Sequence, residues 1–374
     1  MTIITLILAL IMFVGLVVIH ELGHFFAARK GGVEVEEFGL GFPPKAWGKK
    51  LSSGLLFTIN WLPLGGFVRL KGEHDSARSK GSFGAASLSV KVKIMLAGVA
   101  VNLTAAYFLM TFLALVGMPK IIDDQFTVKN DTKIIRNDIF IGAVEEGSPA
   151  QRANMLERDR IISIESNGAK TWVANASELP QITKMAAGKE VSIAVVRAGK
   201  ELSLKTTLRT EEEVLDSKST NKPVGYLGVS PAEYTLLRST WSAPVVAAGV
   251  IKQLTTQTFV GLGKAVWNIA RGHGKQASEQ VAGPVSIFIL LKDSSAIGPQ
   301  LTIMIIAIIS LTLAIMNILP IPALDGGRLF VTLLYHKILK KPLSQEMEEK
   351  IHGTGFLVLL ALMAVITLVD IRRL

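Results

Sequence analysis

The chain has 374 residues, of which 49% are hydrophobic, and its mean hydropathy is +0.43. This composition is too apolar for one soluble globule, and it predicts a polytopic membrane protein with room for one small extra domain. Because the sequence has no cysteine, it excludes disulfides, thiolate zinc sites and a cysteine nucleophile. The net charge of +10 comes with no basic helix and no interleaving of aromatic and basic residues, so nucleic-acid binding is not expected.

The positive charge is concentrated in one short region. Between Arg29 and Lys93 there are 11 Lys and Arg residues against 5 Asp and Glu residues, whereas Met118 to Gln300 is nearly neutral. Positively charged loops are retained in the cytoplasm more often than they are translocated. The basic loop is therefore predicted to be cytoplasmic, and the long neutral region extracytoplasmic.

The first apolar segment runs from Thr2 to Ala28 and ends at Gly31-Gly32. It is close to the ~20 residues that a membrane-spanning helix needs, and it lacks the basic start and cleavage pattern of a signal peptide. Towards its end stands the sequence HELGH, residues 20–24. On a helix, His20 and His24 lie one turn apart on one face, and Glu21 stands beside them.

This motif is typical of zinc peptidases. Two imidazoles and a carboxylate from elsewhere leave a fourth zinc position for water, whose pKa falls towards ~7, and Glu21 can accept its proton. A polar helix face that binds no metal is the alternative, since the motif fixes only three positions. Three ionisable groups within one turn of an apolar helix favour the metal site, because burying them at membrane depth is costly.

A segment of strand character follows the first span, with alternating residues in 33–38, 55–60 and 65–70 and turn residues at Pro43-Pro44 and Pro63. The pattern predicts a small hairpin or meander folded back on the membrane. Gly65-Gly66, followed by Phe67, could expose a sheet edge to which a peptide pairs. An ordinary glycine turn is the other interpretation.

A second span is predicted from Ile94 to Val116. Within it, Gly98 and Asn102 lie one turn apart, a spacing that lets helices approach closely and form hydrogen bonds. Asn102 is interpreted as a packing residue near the site. From Asp124 to about Arg209 the composition turns soluble, and strands bracket a helix predicted over 174–187, which is enough for an independent domain.

The next region is predicted to contain a polar linker over 211–223, a short strand over 225–229 and a helix over 243–269. Apolar residues of that helix recur at helical spacing between charged and amide residues. This favours an amphipathic helix on the outer membrane face, with an ordinary core helix as the alternative.

The third predicted span, Leu301 to Leu319, leads into NILPIPALDGGR, residues 317–328. Prolines and glycines there predict irregular backbone, which is tolerated at membrane depth only when it is buried or lines a wet cavity. Asp325 is the best candidate for a third zinc ligand, because a buried carboxylate needs a cation; capping of the next helix is the alternative. A fourth span over 354–369 places both termini on one side, which leaves Arg372 and Arg373 in conflict with the charge rule.

Other zinc peptidase patterns do not fit. The metzincin pattern requires Gly and His where this chain has Ala27 and Lys30. The nearest downstream glutamates, residues 34, 36, 37 and 73, do not stand on a following helix as in the soluble glutamate-ligand peptidases.

The chain resembles the site-2 protease family of intramembrane zinc metalloproteases, in particular its bacterial branch typified by the regulator of sigma-E protease. The resemblance covers the whole chain and is carried by HELGH, PLGGFVRLKGE, the 98–102 segment, AGPVSI and NILPIPALDGGRL. The segment GSPAQRANMLERDRIISIESNG, within 147–168, resembles a PDZ domain of the bacterial, rearranged type. Enterobacterial relatives carry two tandem PDZ domains, whereas this chain has room for one.

The resemblance implies zinc ligands at His20, His24 and Asp325, with Glu21 as the general base. It further implies that Asn317, Pro320 and Pro322 help to shape the substrate path and that Gly65, Gly66 and Phe67 pair with unwound substrate. From its place in the second span, Asn102 is also predicted to be a substrate-binding residue. The implied substrates are single-span membrane proteins such as anti-sigma factors or remnant signal peptides. The implied location is the bacterial inner membrane, with the active site towards the cytoplasm.

These inferences predict a four-span α-helical membrane protein with a membrane-associated β-hairpin or meander and one extracytoplasmic PDZ-like α+β domain. Its predicted parts are the first two spans with the zinc motif and β-loop (1–118), the PDZ-like domain (124–210), a linker with the amphipathic helix (211–300), and the last two spans with the third ligand (301–374). The PDZ-like domain could contact substrate or peptide. A peptide-binding module with a non-catalytic metal site is the alternative function, and an ion-relay transporter is disfavoured because no inverted repeat is visible.

Overall fold

The computed structural model of the protein describes residues 2–219, 223–273, 283–340 and 343–372. It divides into two compact units, one formed by Met1–Leu113 with Ala243–Leu374 and the other by Ala114–Ser242. The helices are α1 (Thr2–Lys30), α2 (Leu88–Val116), α3 (Pro149–Arg152), α4 (Leu179–Met185), α5 (Glu211–Ser217), α6 (Ala243–Ala270), α7 (Pro284–Ile297), α8 (Pro299–Ile318), α9 (Asp325–Leu333) and α10 (Gln345–Arg372). The strands are β1 (Val35–Lys50), β2 (Leu56–Leu70), β3 (Met118–Pro119), β4 (Lys133–Val144), β5 (Arg160–Ser166), β6 (Ala169–Trp172), β7 (Glu190–Arg197), β8 (Lys200–Thr207) and β9 (Val229–Arg238).

Four of the described helices are long and apolar enough to cross a membrane, which confirms the predicted number of spans. They are α1 from Leu6 onward, α2, α8 and α10. The spans follow directly from composition, because a helix satisfies its own backbone hydrogen bonds within lipid and its apolar side chains can face the hydrocarbon.

Close helix approach in the first unit depends on small residues and on one buried hydrogen bond. A Cβ atom added to Gly23 of α1 would lie 2.9 Å from the backbone oxygen of Ala97 in α2. The hydroxyl of Ser310 in α8 donates to the backbone oxygen of Asn102 in α2, at 2.8 Å. Helices α1, α2 and α8 therefore meet at the level of the HELGH motif.

Helix α7 is absent from the sequence-based prediction, which treated its region as part of the 211–300 linker segment. Lys292 and Asp293 interrupt its apolar pattern. The helix begins at Pro284, and the backbone N–H of Ser286 donates to Asp370 of α10 at 3.0 Å. Its Leu291 is buried in a cluster with residues of α1 and α8. Tertiary packing and a distant carboxylate thus support a helix that the local pattern does not reveal.

The hairpin or meander predicted after the first span is present as an antiparallel pair, β1 with β2. The first half of β1 pairs on both sides, so that Gly39 stands opposite Thr58 on one side and opposite Phe67 on the other. The last part of β2, residues 66–70, therefore forms an edge of the sheet among the described strands. Leu70 packs in a buried cluster with Ala28 of α1 and with Ile94 and Met95 of α2.

The second unit is a mixed α and β fold around one antiparallel sheet, with strand order β3-β9-β4-β5-β7-β8 and β6 paired to β5. The strand expected over 225–229 begins at Val229 and continues to Arg238, where it pairs with both β3 and β4. The linker expected over 211–223 contains α5, which a capping box between Thr210 and Glu213 initiates. The helix expected over 174–187 is the shorter α4, preceded by a 3-10 turn.

The core of the second unit gives a stability prediction. Ile193 of β7 is fully buried (0% exposed), whereas Ile134 of β4 is 66% exposed. We expect Ile193→Ala to destabilise this unit by about 2–5 kcal/mol through loss of packing and a residual cavity. Limited proteolysis of the intact protein should then cleave within Ala114–Ser242 much faster. Ile134→Ala is the matched control, and equal protease sensitivity of the two variants would contradict this assignment of the core.

Candidate metal centre

The two histidines of α1 face the same point, as their spacing predicts. Their rings are 4.8 Å apart between centroids at an interplanar angle of 75°, and their Nε2 atoms are 3.2 Å apart. His20 is only 8% exposed. A buried pair of imidazoles with converging nitrogen atoms is suited to sharing a single ion.

Asp325 completes this group from the other end of the chain. It is the first residue of α9, and its Oδ2 atom lies 3.2 Å from Nε2 of His20 and 3.2 Å from Nε2 of His24. This oxygen is buried and receives no hydrogen bond from any residue that the structure describes. Burying a carboxylate oxygen is costly unless it is paired, and a cation shared with the two nearby imidazole nitrogens would pair it.

The three atoms fit a tetrahedral zinc ion. Ligands at about 2.0–2.1 Å from a tetrahedral zinc lie roughly 3.3 Å from one another. The observed separations, each 3.2 Å, are close to that value. Among the described residues, His20, His24 and Asp325 are the group of His, Asp and Glu side chains that could hold a metal.

A second layer of contacts orients the imidazoles. Nδ1 of His24 donates to the backbone oxygen of Ile94 at 2.8 Å, which leaves the Nε2 lone pair free for a metal. The side-chain amide of Asn102, which is fully buried (0% exposed), lies 3.2 Å from Nδ1 of His20. Its Oδ1 has no hydrogen-bond partner among the described residues. Rotating this amide by 180° lets Oδ1 accept the Nδ1 hydrogen, which satisfies both groups and frees Nε2 of His20.

Gly98 of α2 provides the space for the two rings. A Cβ atom at this position would lie 2.5 Å from Cε1 of His20, 2.5 Å from Nε2 of His24 and 2.7 Å from Nε2 of His20. Real Cβ contacts are not that short. Only glycine therefore allows α2 to pass so close to the prospective ligand atoms.

A cavity of about 970 Å³ opens on this group. Its walls include the three candidate ligands together with Glu21, Asn102, Asn317, Arg328, His352 and the β2 segment 65–70. Gly66 lies directly beside Glu21, since an added Cβ would be 3.1 Å from Cγ of that glutamate. The cavity thus brings the HELGH motif, the third span and the edge strand together.

The residues predicted to contact substrate are distributed unequally around this cavity. Gly65, Gly66, Phe67 and Asn317 line it, whereas Pro320 and Pro322 are not among its lining residues. Pro322 instead packs against Gly355 of α10. Asn102 lines the cavity, but its side chain contacts His20.

Sequence reasoning missed a polar cluster around the start of α9. The guanidinium group of Arg328 is 2.6 Å from Oε1 of Glu73 and 3.5 Å from Oε1 of Glu348. Nδ1 of His352 accepts the backbone N–H of Ala323 at 3.4 Å. The position of Arg328 directly after Gly326-Gly327 is the one sequence signal for this cluster. The partners of Arg328, Glu73 and Glu348, are distant from it or unmarked in the sequence.

The same cluster continues at Asp75, outside the membrane-spanning segments. Its backbone N–H donates to Oε2 of Glu348 at 2.9 Å, and its carboxylate pairs with Lys91 and, at 3.0 Å, with His336. Burial by itself raises the pKa of Asp75, but the hydrogen bonds from Lys91 and His336 outweigh it and lower the pKa below its usual value. Asp75 is therefore held ionised in the loop that follows β2.

Two imidazoles and one carboxylate that could hold a metal, in a unit that contains the candidate spans, are the arrangement expected of a membrane metallopeptidase. Comparison with known families agrees: residues 8–362 match the model of peptidase family M50, the site-2 protease family, and the chain belongs to it. A protein of Clostridium acetobutylicum that is provisionally named a zinc metalloprotease is 30% identical over 99% of this chain and 98% of its own. Zinc metalloprotease RasP of Shouchella clausii is 27% identical over 99% of each chain.

The protein is thus a zinc metalloprotease of the membrane, which confirms the predicted family, enzyme class and cofactor.

Proposed function

We propose that this protein is an intramembrane endopeptidase that hydrolyses peptide bonds within the membrane-spanning segments of single-span proteins. Anti-sigma factors and remnant signal peptides are the expected substrates. The observation that carries the proposal is the 3.2 Å triangle of His20, His24 and Asp325, which opens on a cavity in the unit that contains the candidate spans.

In this proposal each residue of the site has a distinct role. His20, His24 and Asp325 would hold the zinc ion, which when bound would supply Lewis-acid polarisation and a water of lowered pKa. Glu21 takes the proton from the attacking water and delivers it to the amide nitrogen of the leaving peptide. Ile94 and Asn102 keep the imidazole Nδ1 atoms engaged, so that both Nε2 atoms face the metal.

The edge of the β-sheet has a role in binding substrate. A helix within lipid satisfies its own backbone hydrogen bonds, so its peptide bonds become accessible only where it unwinds and finds new partners. Segment 66–70 pairs with β1 on one side only among the described strands, and it lines the cavity beside Glu21. An unwound substrate segment can add to its free edge as a further strand.

The distribution of charge along the chain favours one orientation in the membrane. The basic loop between Arg29 and Lys93 favours a cytoplasmic side for the zinc motif, and the near-neutral second unit would then be extracytoplasmic. A PDZ-like role for that unit would be to contact substrate or to restrict access to the cavity. The host membrane would be the bacterial inner membrane.

The test is a cleavage assay with purified full-length protein and a panel of single-span substrates in detergent or lipid. We expect cleavage within the membrane-spanning segment, loss of cleavage on zinc chelation, and recovery when zinc is restored. Mass spectrometry of the products gives the cut position. Cleavage confined to extramembrane loops, or cleavage that continues after zinc is removed, would contradict the proposal.

A further inference from the structure

One face of α10 is directed at the loop that carries Asp325. Glu348, His352 and Gly355 are spaced four and three residues apart, so they share one side of the helix. Each of them contacts the stretch from Pro322 to Arg328. None of the three is in the candidate ligand set or takes part in the proposed proton transfers.

Gly355 forms the closest of these contacts. A Cβ atom added to it would lie 2.5 Å from Cβ of Pro322 and 2.8 Å from the backbone carbonyl carbon and oxygen of the same residue. Because two of these three atoms are backbone, the loop could not give way cheaply. By contrast, Gly353 in the same helix has no atom within 4 Å of an added Cβ.

His352 contacts the loop at Ala323, the residue after Pro322. Its Nδ1 accepts the backbone N–H of Ala323, which has a φ of 75°. A residue other than glycine reaches this left-handed conformation only at an energetic cost, so it persists where surrounding contacts enforce it. Ala323 is two residues before Asp325, and its unusual conformation sets the direction in which α9 begins.

Arg328 anchors α9 one turn after Asp325. Its guanidinium group pairs with Glu73 and Glu348, and it lies 4.6 Å from the ring centroid of Phe83. Glu348 is itself only 5% exposed and also accepts the backbone N–H of Asp75. A buried charge with several partners has little freedom, so this end of α9 is fixed against α10 and the loop after β2.

We propose that Glu348, His352 and Gly355 are positioning residues that hold the Asp325 carboxylate at the distance from His20 and His24 at which it can bind zinc. The inference rests on the proposed ligand set. The two histidines share one helix, which fixes their relative position. Asp325 follows an irregular loop, so contacts from another element, here α10, are needed to fix its position. Groups that orient a metal ligand typically change metal affinity 10–100-fold when they are altered.

The experiment measures zinc affinity of the full-length protein by competition with a chelator, in parallel with thermal unfolding of the zinc-free protein. Gly355→Ala should weaken zinc binding on the order of 10–100-fold, while Gly353→Ala retains the affinity of the unaltered protein. Both changes add one methyl group to the same helix, so a general effect on α10 would alter both. Equal affinities of these two variants overturn the inference.

If Gly355→Ala also lowers the melting temperature of the zinc-free protein, its effect on zinc affinity could reflect general destabilisation. A second pair of variants then tests the positioning role. His352→Leu removes the acceptor for the Ala323 N–H, whereas the Oδ1 atom of His352→Asn can replace it. We expect the leucine variant to lose affinity and the asparagine variant to recover most of it. Equal losses in the two variants overturn the positioning role of His352.

Asp325→Ala separates this inference from the proposed site. If it leaves zinc affinity unchanged, the ligand set itself is wrong. If it removes zinc binding while Gly355→Ala and His352→Leu retain it, only the positioning inference fails.

Discussion

Replacing Glu21 with glutamine should lower the rate of peptide hydrolysis by on the order of 10²–10⁴-fold while zinc remains bound. Glutamine has nearly the same shape but cannot accept a proton at neutral pH, so the change removes the base and preserves the packing. Glu21 lines the cavity beside Gly66 and lies outside the group of three candidate ligands. The measurement is the cleavage rate of a single-span substrate, together with zinc content per protein.

Glu34→Gln is a suitable control, because that glutamate is exposed and pairs with Lys71 just outside the ends of β1 and β2. It should leave both the cleavage rate and the zinc content unchanged. If Glu21→Gln loses zinc, Glu21 is a ligand rather than the base. If it turns over substrate at the rate of the unaltered protein, the proton route runs through another group.

The parts of the molecule that the sequence predicted well are those in which local chemistry alone decides the structure. The four spans follow from long apolar segments, and the convergence of His20 with His24 follows from helix geometry. The sequence also predicts Asp325 as a third ligand, because an aspartate in an irregular segment near membrane depth needs a positive partner, and that role stays a prediction. The structure places it 3.2 Å from both histidines.

The parts that the sequence missed depend on contacts between distant residues. The start of α7 is held by Asp370, which is 84 residues away, and the length of β9 is set by its pairing with β4 about a hundred residues earlier. The sequence predicts Asn102 as a packing residue near the site and as a substrate-binding residue, but nothing local predicts its contact with His20, 82 residues before it. Hydrophobic periodicity carries no information about such pairings.

The contacts around Asp325 explain how a candidate metal ligand can be held in place after a loop with two prolines. A loop of this kind would normally be mobile, but here Pro322 packs on Gly355, Ala323 donates to His352, and Arg328 is held by two carboxylates. The rigid histidine pair and the supported aspartate together preorganise the site. Preorganisation of this kind is what separates a working metal centre from a chance cluster of ligands.

Gly98→Ala should be as damaging to the enzyme as the loss of a ligand, although glycine itself has no side chain that could bind the metal or move a proton. The new methyl group would lie 2.5 Å from Nε2 of His24 and 2.7 Å from Nε2 of His20, so both prospective ligand atoms would have to move. Alanine is favoured over glycine inside a helix by about 1 kcal/mol, so α2 itself is not weakened. We expect zinc affinity to fall by 10–100-fold or more and cleavage to fall to background.

Gly15→Ala in α1 is the matched control for this prediction, because a Cβ there meets no atom within 4 Å. It makes the same chemical change in a neighbouring span and should leave zinc binding and cleavage intact. Zinc content by elemental analysis and the cleavage rate of a single-span substrate give the comparison. A Gly98→Ala protein that binds zinc as tightly as Gly15→Ala would mean that the ion is not held between the two imidazoles. In that case the 3.2 Å triangle of His20, His24 and Asp325 would not be the zinc site.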